Sequence, residues 1–130
     1  MKITRLSEAV KYGPPKHTDC FAMHLQHKNL GCEAPYWVGC SYYLPGGKAD
    51  WDAGPLPKVY IVLEGELTMA FEGQEFKLGP MDSIYIGPGE NRQVRNDTNR
   101  VATMLVVMPY PPQYGGSYAN REYSQYQVAL

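Results

Sequence analysis

The 130-residue chain lacks what would hold it to a nucleic acid or a charged membrane surface. Lys and Arg number 12 against 13 Asp and Glu, a formal charge of -1, so neither sign is in excess. Charged residues are only 19% of the chain. Cysteine is scarce: Cys20, Cys32 and Cys40 are an odd set with no CxxC pair, which excludes a disulfide framework and a cysteine metal site. The longest apolar run, residues 104–109, is far too short to span a bilayer. No apolar stretch follows Met1-Lys2-Ile3-Thr4-Arg5, so no leader is read and a cytoplasmic location is expected. No helix of ordinary length and no internal repeat is visible.

What is present favours strands. Hydrophobic residues make up 44%, enough for a packed core. Gly (13), Pro (11) and Tyr (11) are all abundant, as in short strands joined by turns. Residues 1–20 read as a polar lead-in with one helical turn near residues 7–11, stopped by Gly13-Pro14-Pro15. Residues 21–27 read as a first strand and the aromatic run 36–44 as a second, ended by Pro45-Gly46-Gly47. Residues 48–57, with two prolines and Gly54, read as a loop.

Residues 59–63, 66–71 and 74–78 read as an antiparallel meander with two-residue turns at Glu64-Gly65 and Glu72-Gly73. Residues 83–86, 91–95 and 101–108 complete a set of short strands at regular spacing, the pattern of a sandwich or barrel. One barrel domain is therefore expected over residues 21–109. Residues 110–130, with Tyr110, Tyr114, Tyr118, Tyr123 and Tyr126, read as an extended arm or as a lid.

Two stretches carry a resemblance. Pro45-Gly46-Gly47 followed by Val59-Tyr60-Ile61-Val62-Leu63-Glu64-Gly65-Glu66-Leu67 resembles the first motif of the cupin family. Leu78-Gly79-Pro80-Met81-Asp82-Ser83-Ile84-Tyr85-Ile86-Gly87-Pro88-Gly89, continuing to Asn96, resembles the second. The resemblance covers residues 36–109. It implies an all-β fold with little helix: an antiparallel cupin-type β-barrel, or double-stranded jelly roll. Cupins commonly pair through sheet faces, so it also implies a homodimer.

The family's metal is held by three histidines and a glutamate. Those places fall here on Asp52, Gly54, Lys58 and Arg92, with Asp50 an alternative to Asp52. Two cations and one carboxylate do not make a divalent metal site, so a cupin without a metal or other cofactor is expected. His17, His24 and His27 lie outside both motifs and read as surface or structural. His24 and His27, three apart on one strand, are expected on opposite faces.

On the resemblance, Lys58, Tyr60 and Val62 line one inner wall and Arg92 and Val94 another, with Glu90 at the mouth. Two convergent cations favour an anion, and arginine's planar fork favours a carboxylate. The expected partner is therefore a small carboxylated molecule, with no nucleic acid and no membrane. The expected function is a metal-independent lyase, isomerase or decarboxylase. Arg92 would clamp the carboxylate, Lys58 would act as acid, base or imine-forming amine, Asp52 or Glu90 would move a proton, and Tyr60 would donate to a developing oxyanion. A binding or sensing module without chemistry is the alternative. Lys58 also fits a structural role, paired with Asp52 or Glu90.

Overall fold

Alternating apolar residues build nine strands in the computed structural model, which describes residues 1–112. They are β1 (Val10–Tyr12), β2 (His17–Gln26), β3 (Tyr36–Asp52), β4 (Lys58–Glu64), β5 (Leu67–Phe71), β6 (Gln74–Leu78), β7 (Ser83–Ile86), β8 (Arg92–Arg95) and β9 (Ala102–Pro109). The only helical pieces among the described residues are single 3-10 turns, Leu6–Glu8 and Lys28–Leu30. Every pairing is antiparallel, in the order β6-β5-β8-β3-β9-β4-β7, with β2 on β3 and β1 on β2.

β3 organises the barrel. Its first half pairs with β9, from Tyr36↔Pro109 to Tyr43↔Ala102, and its second half with β8, from Lys48↔Arg95 to Asp52↔Arg92. The strand thus leaves one sheet and joins the other at Pro45-Gly46-Gly47. No ladder pair falls on residues 44–47, so the proline's missing N–H costs nothing there. Gly46 has φ +80°, and a Cβ on Gly47 would run into the Asp19 carbonyl oxygen. Asn96 ties the corner: its carbonyl accepts from Gly46 N–H (2.9 Å) and its own N–H donates to the Gly47 carbonyl (2.9 Å).

The core is the inner face. β9 alternates buried and half-buried residues along its whole length, turning Ala102, Met104, Val106 and Met108 inward. Tyr60 and Val62 of β4 and Met69 of β5 meet them. Each such side chain contributes about 1.5–3 kcal/mol on burial.

Several sequence expectations change. The first strand begins at His17, inside the expected lead-in, and β1 lies there too. Residues 48–52 are strand, because the Gly-Gly corner redirects β3 without ending it; the loop is residues 53–57. Glu64-Gly65 is not a hairpin. β4 pairs with β7 and β9, whereas β5 pairs with β6 and β8, so this turn carries the chain between sheets. Gly65 has the expected positive φ (+76°), but a Cβ there would lie 2.9 Å from the Val101 carbonyl, where β9 is about to begin. The Glu72-Gly73 hairpin is present. Tyr114, Tyr118, Tyr123 and Tyr126, and with them the arm-or-lid question, lie outside the described residues.

Candidate functional site

The alternation of β4 buries Lys58, Tyr60 and Val62, and Lys58 stands opposite the fully buried Ile86 of β7. On the other sheet, β8 buries Arg92 and Val94. Arg92 spans the interior: its Nε donates to the Tyr60 hydroxyl at 3.3 Å and its Nη1 to the Asp50 carbonyl at 3.0 Å. The guanidinium is always charged and its residue is 5% exposed. No carboxylate lies within 4 Å of it among the described residues.

The choice between Asp50 and Asp52 is decided by a bulge. Between the pairs Ala49↔Val94 and Asp52↔Arg92, two residues of β3, Asp50 and Trp51, oppose one of β8, Gln93. The extra residue returns Asp52 to the inner face beside Arg92. Asp50 keeps only its carbonyl inside; its side chain points outward and accepts from Gln93 Nε2 at 3.2 Å and from Trp51 N–H at 2.9 Å. Asp52 is ion-paired with Lys16 at 3.2 Å. Lys58 Nζ lies beside Gly54, 3.2 Å from where a Cβ would stand, with Asp52 Oδ2 at 3.9 Å from the same point. Glu90 accepts from Gly87 N–H (2.6 Å), and Gly89 N–H donates to the Gly54 carbonyl (2.8 Å), so the loops carrying Glu90 and Asp52 are joined at the mouth.

Sequence reasoning missed His17. It opposes Ala49, which opposes Val94, so the three form one row across β2, β3 and β8, directly above the Asp52–Arg92 row. Its Nδ1 lies 2.7 Å from the Pro15 carbonyl. A carbonyl only accepts, so Nδ1 carries the proton and Nε2 is the bare nitrogen. Burial pushes its pKa down to about 4; the Pro15 bond opposes this, Arg92 and Lys58 push it lower and Asp52 raises it. The ring is neutral at pH 7. The preceding Lys16 holds φ 62°, a left-handed conformation that aims this short turn into the barrel. No local sequence signal finds His17, because its place depends on pairing with β3.

His17, Ser41, Tyr43, Tyr60 and Arg92 line a narrow cavity of about 20 Å³. That is room for about one water-sized group. Burial holds the Tyr43 phenol well above its usual range, so it is a neutral hydrogen-bonding group.

A second set of rings borders this cavity through Tyr12 and Trp37. Tyr12, His24 and His27 stack in a column, with centroids 4.2 and 3.9 Å apart, against Trp37. The two histidines share one face, not two as expected. A register shift between His24 and Gln26 breaks the alternation, and His27 lies just past the end of β2. Both are fully buried rather than on the surface.

The inherited metal positions do not fit a divalent cation. Gly54 offers no donor, Lys58 and Arg92 bring positive charge, and Asp52 is a single carboxylate already engaged by Lys16. No three His, Cys, Asp or Glu side chains gather as a metal site among the described residues.

Residues 39–108 match the cupin domain family. The chain is 40% identical over 111 residues, 85% of its length and 96% of the relative's, to the protein named beta-D-galactosidase Rv1717 of Mycobacterium tuberculosis. Among solved structures, it is similar to the polyketide cyclase RemF of Streptomyces resistomycificus, with TM-score 0.76 at 18% identity over 97% of this chain and 98% of that one. It is also similar to a predicted oxalate decarboxylase of Thermotoga maritima, with TM-score 0.70 at 18% identity over 83% of this chain and 98% of the other. At these identities the two structures speak to the fold alone.

Proposed function

The chain belongs to the cupin domain family, and we propose that the inner end of its barrel seats the carboxylate of a small organic molecule and acts on it without a metal. One observation carries this reading: a buried guanidinium, oriented by Tyr60 and the Asp50 carbonyl, with no carboxylate within 4 Å among the described residues, its cross-strand neighbour Asp52 being ion-paired with Lys16 instead. A buried charge without a contacting counter-ion is unfavourable. A carboxylate guest supplies that counter-ion, with two oxygens for the guanidinium fork. The carboxylate is seated at this narrow cavity, on Arg92.

The reaction class that suits this lining is proton transfer on the guest: a lyase, isomerase or decarboxylase step. In this reading Lys58 exchanges the proton and Tyr60, on the cavity wall, donates a hydrogen bond to the guest, while Val62 and Val94 belong to the dry core around it. A sensor would use the same seat without turnover. Lys58→Arg separates the two, because it keeps the charge and removes an amine that can shed its proton.

Glycoside cleavage is a second reading, favoured by the 40% identity to a protein named as a galactosidase. That chemistry uses two carboxyl groups. Asp52 and Glu90, on joined loops at the mouth, are the pair available, since the interior is too narrow for a whole sugar ring.

The test is direct. Binding of malonate and of its neutral diamide is measured by calorimetry on the wild type and Arg92→Ala, and nitrophenyl β-D-galactoside is offered to both. Malonate should bind and the diamide should not. Arg92→Ala should weaken malonate by about 10- to 150-fold, the loss of about 1.5–3 kcal/mol for a charged hydrogen-bonded pair. Unchanged affinity in Arg92→Ala would overturn the carboxylate reading. Galactoside turnover that is lost in both Asp52→Asn and Glu90→Gln would establish the second reading in its place.

A further inference from the structure

From the same cavity we infer that His17 is the general base of this site, taking a proton from the carbon next to a carboxylate held by Arg92. The inference rests on the carboxylate reading and adds the reaction's proton acceptor and its substrate class, small carboxylates with an acidic α C–H.

Three observations converge on it. The ring lines the same cavity as Arg92 and Tyr60. Its Nδ1–H is fixed on the Pro15 carbonyl, so the tautomer is set and Nε2 presents its lone pair. Its row of the sheet lies next to the Asp52–Arg92 row, two residues along β8, so the imidazole and the guanidinium stand on neighbouring rows of one face. A backbone carbonyl that orients one ring nitrogen while the other faces the reacting atom is the arrangement a general base requires.

The charges around the ring support turnover as well as binding. Without a guest, Arg92 and Lys58 disfavour a proton on His17, and Asp52 favours one. A bound carboxylate adds negative charge beside the ring and raises its proton affinity when the substrate is in place. The step balances. The α C–H bond breaks, its electron pair delocalises into the carboxylate neutralised by Arg92, and the proton moves to Nε2. The imidazolium exchanges that proton with solvent and returns one to the carbon. No oxidant or co-reactant is needed.

The experiment follows deuterium entering malonate from D2O by proton NMR, on the intact protein. Malonate has two carboxylates for the two cations and an acidic methylene between them. The wild type should speed the exchange over buffer. His17→Asn keeps an amide that can reach the Pro15 carbonyl and removes Nε2. It should lower the exchange by about 100-fold or more, the usual worth of a positioned base, with malonate affinity within about threefold. The wild-type rate should be flat from pH 6 to 8, since the ring is already bare there.

Wild type that binds malonate without speeding exchange, or His17→Asn exchanging like wild type, would overturn the base assignment and leave the carboxylate seat standing. Failure of the wild type to bind malonate would overturn both. If His17→Asn does not fold, imidazole nitrogen NMR on the wild type decides. Malonate must shift the Nε2 resonance of His17 and leave Nδ1 in place, and an unmoved Nε2 refutes the role.

Discussion

Acid should destabilise this protein before its carboxylates titrate, and the histidine column is the reason. His24 is 0% exposed and His27 1%. Neither ring nitrogen of His24 has a hydrogen-bond partner among the described residues, and the two imidazoles stack at 3.9 Å. Burial lowers the pKa of His24 to about 3, helped by the facing His27; burial lowers that of His27 to about 4, helped by Lys28. In the unfolded chain both sit near the ordinary value of about 6.5. Between these limits the unfolded chain binds more protons than the folded one, so stability falls as pH falls. It is complete above pH 6.5 and is lost progressively on the way to the folded values. By pH 5 each histidine has cost about 1.5 units' worth of free energy, or about 2 kcal/mol, so the pair costs about 4 kcal/mol. His17 adds to this in the same direction. Against a usual total of about 5–15 kcal/mol, that is a large share.

Urea unfolding at pH 8, 7, 6 and 5 measures it. His24→Phe keeps a ring in the stack and removes both the titration and the unpartnered nitrogens. At pH 8 it should match or exceed wild type, gaining up to about 1–3 kcal/mol, and its loss between pH 8 and 5 should shrink by about 2 kcal/mol. Equal wild-type stability at pH 8 and pH 5, or an unchanged pH slope in His24→Phe, would refute the reasoning.

Other expectations follow from particular contacts. Asn96 is fully buried; its Nδ2 donates to the carbonyls of Tyr43 (2.9 Å) and Arg100 (2.7 Å), and its Oδ1 accepts from Thr98. Asn96→Ala should cost about 2–4 kcal/mol by chemical denaturation, since it orphans buried backbone groups. Gly65→Ala places a methyl against the backbone of Val101 and Ala102 at positive φ and should lower Tm by several degrees, whereas Gly73→Ala, with φ also positive and open space around it, should cost less. Protein purified without chelator should hold no stoichiometric transition metal by elemental analysis, and chelator should leave malonate binding unchanged. A homodimer is proposed on family grounds, and sedimentation at micromolar concentration should show it.

The parts of the fold that were legible share one property: they are encoded within a few residues. Strand alternation put Lys58, Tyr60 and Val62 on one face and Arg92 and Val94 on another; burial alternates accordingly along β4, whereas in β8 Gln93 between the two is buried as well. The Glu72-Gly73 hairpin was legible because a two-residue turn fixes its own partners. Glu64-Gly65 has the same local chemistry and the same positive φ at glycine, yet joins two sheets. Nothing within the dipeptide separates the two outcomes. The difference lies in which strand waits on either side, and that is set by β9 and β8, far along the chain. Pro45-Gly46-Gly47 misled for a related reason. Its residues end a strand when all ladder positions are occupied, but at a corner between two partners they are tolerated inside one.

The site divides along the same line. Its charges were legible, since Arg92 and Lys58 stand in motif places whose facing was already known. Its geometry was not, because three non-local features build it. A bulge in β3 selects Asp52 over Asp50, a shift in β2 brings His24 onto His27, and the β2–β3 pairing carries His17 into the barrel. Each changes which face a residue takes without changing the residue, so no reading of residue types alone detects it. The consequence bears on the chemistry. The residues that replace the family's metal ligands supply two cations and one carboxylate ion-paired with Lys16, a set that can bind and polarise. The bare nitrogen enters from β2, outside both motifs. A cupin motif emptied of histidines therefore need not be an emptied active site: in the proposal above, the imidazole is supplied from a different strand.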